Sequence, residues 1–481
     1  MPERRITLLQ INDTHGYLEP HPELLWDGDQ ASCEMLGGYA RIAGLLTAVR
    51  AECRGAVVAL DNGDTFHGTF PVVQSKGAAL VPVLNALALD GMTAHWDFAY
   101  GPAHLQALAA ELSYPVLANN CFDQATGELS FPPSRMVTRG GVRVGVIGIA
   151  ATIVDKTMPA HFSTGIRLTL GRDELPGHIR ALRAEGAEMI VVLSHLGFPQ
   201  DVKLAHEVPG IDVLLSGHTH NRLYRPARVG ETIIIQSGCH GSFVGRLDLA
   251  VSEGTVSMLE HRLIPLDARI PADPAMQELI EGILQPHRAM LDTVVGRTDI
   301  LLHRNGMLET PMDDLLLAAI AEAAGTRLAF SNGWRYGAPI PPGPIRMNDL
   351  WNIIPTNPAV STVELSGAEL VAMLEENLER TFAADPYRQM GGFVKRCGGI
   401  NAYIKIENPT GLRIERLFAE GEPVQPERHY TAAFVTAQGV PPKFGRNRRD
   451  LDIRAIEAIR RYLVDHAPGR SSLAAGSVTA V

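Results

Sequence analysis

No run of this 481-residue sequence comes near the ~20 consecutive apolar residues of a membrane-spanning helix, so a helical membrane protein is excluded and no membrane partner is expected. Cysteine is scarce: there are five, at positions 33, 53, 121, 239 and 397, with no Cys-x-x-Cys pair. That spread excludes a disulfide framework and fits a reducing compartment. Positive charge is in deficit. Lys and Arg number 43 against 53 Asp and Glu, a formal net charge of −10, so a nucleic-acid polymer is not the expected partner. An apolar leader is lacking as well. Met1-Pro2-Glu3-Arg4-Arg5 runs straight into the strand-like Ile6–Ile11, and the expected location is the cytoplasm. Apolar side chains are plentiful at 46%, enough for a large core and two or three domains.

The first part alternates short apolar runs with helical patterns. Strands are expected at Ile6–Ile11, Ala56–Leu60, Val142–Ala150, Met189–Ser194, Val213–Ser216 and Thr232–Gln236. They are rich in Val, Ile and Leu with little alternation, as in strands covered on both faces. Helices are expected at Ala40–Ala51, Ala78–Leu89, Ala103–Leu112 and Asp173–Ala184. This is an α/β pattern with helices outside the sheets. Prolines crowd the segment Pro265–Pro274 and break regular structure there. The expected division is a first domain over 1–265, a linker over 266–293 with a helix from Ala275 to Leu291, and a second domain over 294–481. In the second domain Thr310-Pro311 reads as a capped start for a helix over Met312–Ala324. Leu365–Phe382 reads as another helix, and Arg327–Phe330, Val360–Leu365 and Ala402–Ile406 as strands. Gly337–Pro344 is expected to be a loop, and the small, polar tail Arg470–Val481 to fray.

Polar residues recur where the expected strands end. Asp13 and His15 follow the first strand, Asp64 the second, and His95 a later loop; His195 closes one strand, and His218 and His220 another. Any one of these histidines alone reads as a hydrogen-bonded core residue. Together, two Asp and five His at strand ends are the donors that borderline divalent cations take. Seven donors exceed one tetrahedral ion and suit two, with a carboxylate such as Asp64 bridging them. Such a pair polarises an anionic substrate and generates hydroxide near neutral pH. Mixed nitrogen and oxygen donors suit Mn, Zn or Fe.

Asp13-x-His15, Gly63-Asp64, Ser194-His195 and Gly217-His218-x-His220 resemble the motif series of the calcineurin-like metallophosphoesterases, and the spacing with the second domain resembles their 5′-nucleotidase branch. The resemblance covers roughly 6–465. It implies a four-layer αββα metal domain followed by a smaller α+β, 5′-nucleotidase-like substrate-binding domain. It implies one ion on Asp13, His15, Asp64 and His220, and the other on Asp64, His95, His195 and His218. Of the candidate metals it favours Mn.

The third motif departs from that branch, which carries Gly-Asn-His-Glu-Phe-Asp-Tyr-Gly. Here the segment is Ala94-His95-Trp96-Asp97-Phe98-Ala99-Tyr100-Gly101. His95 can replace the metal-binding Asn. Trp96 stands in place of the catalytic His, and Ala99 in place of the Asp that orients it. The departure resembles a sister family, the thiosulfohydrolases of the Sox sulfur-oxidation pathway, with its His-Trp-Glu-Phe-x-Tyr-Gly. Ser331–Gly337 and Asp385–Gly392 with Gly398-Gly399 resemble that family's Ser-Pro-Gly-Phe-Arg-Trp-Gly and Asp-Pro-Tyr-x-Gln-x-Gly-Gly…Gly-Gly segments. Its reaction releases sulfate from an S-sulfonated cysteine on a carrier protein. An alkoxide leaving group, whose conjugate acid has a pKa of ~15.7, needs a proton donor or a metal. A thiolate, with pKa about 8.5, leaves without one. Loss of the acid pair therefore costs less on an S-sulfonated thiol than on a nucleotide.

The expectation is a dinuclear metal hydrolase of a small anionic group, favoured as a sulfohydrolase of S-sulfonated thiols. A 5′-nucleotidase or related phosphomonoesterase is the alternative, and a catalytically silent metal-binding module the third reading. Asp64, His95, Trp96 and Arg335 are expected to carry catalysis, and Arg335, Arg388, Phe393 and His240 to bind substrate. Arg335 offers a planar fork for phosphate or sulfonate. Phe393, in Gly391-Gly392-Phe393, resembles the nucleotidase Phe that stacks on the base, or is an ordinary core residue. Asp97 either hydrogen-bonds a ligand histidine or caps a helix, and His67 is a neighbour of Asp64. Cys239 has no surroundings that would make it a nucleophile.

Overall fold

The computed structural model describes residues 3–466 and 477–481. It divides into two compact units. One comprises Met1–Glu23 and Glu34–Pro286, the other Leu24–Cys33 and His287–Val481. Among the described residues no helix is long and apolar enough to cross a membrane.

The first unit is built on two sheets. One has the order Thr255–Pro265, Phe243–Ser252, Arg4–Ile11, Val57–Asp61, Gly91–Met92. The other runs Ala227–Val229, Thr232–Ile235, Val213–Ser216, Met189–Ser194, Val142–Ile149, Ser134–Arg139. Side chains two apart in each strand point the same way. Ile6, Leu8, Val58 and Leu60 of the first sheet share one fully buried cluster with Val144, Val146, Val191, Leu193, Val213, Leu215, Ile233 and Ile235 of the second. The alternate residues Ile147, Ile149, Ile190, Val192, Leu214 and Ile234 pack against the helices Leu175–Ala184 and Phe198–Glu207. Helices Tyr39–Glu52, Val81–Leu87 and Pro274–Leu284 pack together as the layer beside the first sheet. The unit is thus a four-layer αββα sandwich, and its strands carry unbroken apolar runs because both faces are covered. The approach between segments is close enough that a Cβ on Gly148 would sit 2.2 Å from the Leu117 carbonyl oxygen.

Two features are absent from the sequence expectation. Phe243–Ser252 and Thr255–Pro265 form a long antiparallel pair, and His21–Asp27 with Gln30–Leu36 a hairpin. Phe243–Ser252 interrupts its apolar run with Arg246 and Asp248, joined by a 2.9 Å ion pair, so it lacks the signature used for the other strands. The expected single helix over 275–291 is two, Pro274–Leu284 and Arg288–Leu291, separated at Gln285-Pro286. Asp273 caps the first by accepting from Met276 N at 2.9 Å.

The second unit is α+β. Its main sheet runs Phe393–Gly398, Leu328–Gly333, His429–Phe434, Ala359–Ser366, Arg446–Arg454, and a smaller one Glu422–Pro423, Ile414–Ala419, Ile400–Ile404, Val478–Ala480. Helix Pro311–Ala324 begins as expected, but Thr310 donates its hydroxyl to Asp313 Oδ2 at 2.8 Å instead of capping a backbone N–H. Leu365 lies in a strand. The following helix, Gly367–Phe382, starts at a capping box between Ser366 and Glu369. The tail corrects the expectation of fraying. Val478–Ala480 pairs in parallel with Ala402–Ile404, and Ser477 is tied to Glu309. Residues 470–476 of that expected tail lie outside the described residues.

Candidate metal centre

Five loops at strand ends converge on one spot of the first unit. Asp13, His15, Asp64 and His220 form one cluster and Asp64, His95, His195 and His218 another. In each, the potential ligand atoms lie within 4.8 Å of one another. Asp13 and Asp64 sit just beyond paired parallel strands whose register sets Ile11 opposite Asp61. His195 and His218 follow Ser194 and Ser216, which are also paired in register. The loops must then turn sharply to aim their side chains inward. Asp13, His15, Asp64, His218 and His220 all adopt left-handed backbone, with φ of 51°, 48°, 57°, 71° and 58°. Strain of this kind persists only where surrounding structure enforces it.

That enforcement is visible. Asp97 accepts four backbone N–H groups, from Asp64, Thr65 and Phe66 of one loop and His95 of another, at 2.9–3.0 Å. It does hydrogen-bond the candidate ligand His95, as expected, but through the backbone N–H, and with its other three bonds it clamps loop to loop. Asp64 Oδ1 accepts from Trp96 N at 2.7 Å, and both Asp13 oxygens meet His218 N at 3.1 and 3.0 Å. Asn62 donates to the carbonyls of Ser194 and Leu215 at 2.8 Å, joining the Asp64 loop to the second sheet. Asp201 accepts the Ser194 and Ser216 hydroxyls at 2.6 Å each, fixing the two strand ends that lead to His195 and His218.

The donor set fits two divalent cations. His95 Nε2 and His195 Nε2 are buried and make no hydrogen bond among the described residues, and His220 turns Nε2 to Asp13 Oδ1 at 3.2 Å. His195 turns Nδ1 to the Asn62 carbonyl at 2.5 Å and Nε2 toward Asp64 Oδ2 at 3.3 Å, the orientation a ligating imidazole takes. Burial alone would push Asp64 up, yet His95 and His195 beside it hold it well below the usual carboxylate range. Burial would pull His195 down, but Asp64 and Asp13 push it up to about 10. Two carboxylates buried side by side call for positive charge, which is the demand that cations answer.

Around the clusters, Trp96 is 7% exposed and stacks on His67 with centroids 4.5 Å apart. His67 is more than a neighbour, since its carbonyl meets His15 Nδ1 at 3.3 Å. Cys239 is buried, and burial pushes its thiol well above the usual range, away from thiolate chemistry. His240 is buried with φ 57°, beside Glu23 at 3.5 Å. Glu23 is fully buried and escaped sequence reading, because it lies in a hairpin strand with no strand-end signature. Burial opposes its charge, but His240, Arg222 and His21 hold it at about 2. In the second unit, Arg335 donates to the Gly392 carbonyl at 3.1 Å. Phe393 has the guanidinium carbons of Arg335 and Arg396 over its ring, each 5.4 Å from the centroid. Arg388 is largely exposed and pairs with Glu379 at 3.1 Å.

Residues 6–222 match the calcineurin-like phosphoesterase family and 293–436 the 5′-nucleotidase C-terminal domain. The chain is similar in structure to the sulfate thiohydrolase SoxB of Thermus thermophilus, with TM-score 0.92 and 26% identity over 100% of this chain and 97% of that one. It is 24% identical to the 5′-nucleotidase of Diplobatis ommata over 86% of this chain and 77% of that protein. It is also 24% identical to the trifunctional nucleotide phosphoesterase YfkN of Bacillus subtilis over 85% of this chain, while spanning only 30% of that longer protein.

Proposed function

For a chain that joins a calcineurin-like phosphoesterase domain to a 5′-nucleotidase C-terminal domain, we propose the hydrolysis of small oxyanion esters at a dinuclear centre, with S-sulfonated thiols as the favoured substrates. The two domains are those of metal-dependent hydrolases, and so is this chain. When bound, two divalent ions, which we assign as Mn, activate water and screen the substrate's negative charge. The protein's part is to hold seven donors in place and to exclude water around them. We assign Arg335 to the substrate's anionic group.

The observation that carries the choice of substrate is the third loop. Trp96 and Ala99 leave it without a proton-donating pair, and the indole is buried against His67. A thiolate leaving group tolerates that loss better than an alkoxide. Phe393 supports the same choice, since the Arg335 and Arg396 guanidinium groups lie over the ring on which a base would stack. The second reading, 5′-nucleotidase, draws on the nucleotidase relatives and keeps the same ions and ligands.

The test offers S-sulfocysteine and 5′-AMP side by side to Mn-loaded protein, with metal-stripped protein as control. Sulfate from S-sulfocysteine with AMP inert is the expected result. Fast phosphate from AMP would replace the favoured reading with the nucleotidase one. Silence on both, followed by sulfate release from an S-sulfonated cysteine on a protein, would identify a carrier-bound substrate. Silence on all three with metal bound would leave a non-catalytic metal module.

A further inference from the structure

The third loop has lost its histidine–carboxylate pair, but the first unit contains another such pair elsewhere. His240 Nδ1 faces Glu23 Oε2 at 3.5 Å, and both side chains are buried. Glu23 is itself fixed. Arg222 Nη2 donates to Oε1 and the Ser242 hydroxyl to Oε2, each at 2.6 Å. The backbone around His240 is turned by three left-handed positions within four residues, with φ of 73° at Gly238, 57° at His240 and 65° at Gly241. His240 N donates to the Asp13 carbonyl at 2.7 Å, which ties this loop to the first cluster. The ring lies 6.1 Å from that of His15 and 6.2 Å from that of His220, centroid to centroid, and packs on Tyr17 at 4.6 Å. It therefore borders the Asp13–His15–His220 cluster, whereas Trp96 borders His95 of the other cluster at 6.2 Å.

We propose that His240, oriented by Glu23, donates a hydrogen bond to the oxyanion held at the first cluster. As an imidazolium the ring gives its Nδ1–H to Glu23 and presents its second N–H, at Nε2, to the anion, the usual work of a carboxylate behind a functional imidazole. Glu23 is the positioning residue and Arg222 and Ser242 hold it. The role rests on the hydrolase reading of the centre. His21, Glu23 and His240 also have the spacing of a third cation site. Against that use, Glu23 is already engaged by a guanidinium, and His21 Nε2 meets the Ser242 hydroxyl at 3.1 Å.

The test uses the full Mn-loaded chain, with inorganic phosphate as probe and titration calorimetry as readout. His240→Phe keeps the packing on Tyr17 but removes the donor, Glu23→Gln frees the ring, and His240→Gln restores a donor. The expected result is two Mn per chain in every variant, with the phosphate Kd raised about tenfold in His240→Phe and about threefold in Glu23→Gln. His240→Gln should fall between wild type and Phe. A Kd unchanged in His240→Phe, or a loaded wild type that does not bind phosphate, overturns the proposal. Three Mn per chain falling to two in His240→Phe overturns it in favour of a third cation site. Wild type that binds phosphate in a His240-dependent way yet turns over no ester would sink the hydrolase reading and leave the anion contact standing.

Discussion

The first unit buries Asp13 and Asp64 among five histidines, of which His95 and His195 each keep a ring nitrogen with no hydrogen bond among the described residues. The second unit buries Asp313 between Arg304 and Arg396, whose Nε atoms each donate to it at 2.9 Å, while further Arg396 donors reach the carbonyls of Met307 and Gly306. Both units thus place charge in a low-dielectric interior, where an uncompensated charge costs several kcal/mol. The second compensates its carboxylate from its own chain. The first compensates in part through His195 and leaves the rest to something that arrives from solution. Part of its folding free energy is therefore a binding free energy, set by how much metal is available.

The sharpest way to break this contrast is Asp64→Asn. It should empty both clusters and lower turnover by ~4 kcal/mol of transition-state stabilisation, about a thousandfold, read by metal analysis and steady-state rates. Full activity in that variant would end the dinuclear assignment. Asp313→Ala should do the reverse. Two buried arginines lose their partner, and denaturant unfolding should show about 3–5 kcal/mol less stability, with the metal content unchanged. A third test uses Lys395, which is fully buried and donates to the carbonyls of Gln438 and Gly439 at 2.7 Å. Burial pushes its ammonium down from 10.5 to about 8. The folded chain therefore releases this proton before the unfolded chain does. Stability should rise, not fall, as pH goes from about 8 to 10.5, by about 3 kcal/mol, and Lys395→Met should flatten that slope. The smallest expected effect is Asp97→Asn. An amide nitrogen turned toward backbone N–H donors loosens the Asp64 and His95 loops, and chelator competition should show metal affinity weakened about 10–100-fold with the fold intact.

The candidate ligands were legible in the sequence because each stands within a few residues of the end of an apolar strand, so local order alone marks Asp13, Asp64, His195 and His218. The sandwich was legible for the same reason, in the unbroken runs of Met189–Ser194 and Val213–Ser216. What stayed hidden acts across distance. Asp201 sits on a helix with nothing in its neighbours to announce that it holds Ser194 and Ser216. Glu23 meets Arg222 and Ser242 only after the chain has come back on itself. The identity of Asp97 was visible, but its four backbone donors come from two loops that only the folded chain brings together. Val478–Ala480 looked too short and polar to be a strand, and pairs only because the edge of Ile400–Ile404 accepts it.

The strand Phe243–Ser252 lies beside Arg4–Ile11, although the two stand near opposite ends of the first unit's sequence. The consequence is one of timing. The loop that carries Asp13 and His15 hangs from a strand that gains one neighbour early, at Val57–Asp61, and its other only when the unit is nearly complete. Pairing over such a span is slow, because a long loop must close before its contacts repay the entropy. A half-made unit therefore presents its histidines one loop at a time, without the seat that would retain an ion. The complete seat exists only on the finished scaffold, so an ion held by all of its donors would be a lock turned after assembly, not a template for it.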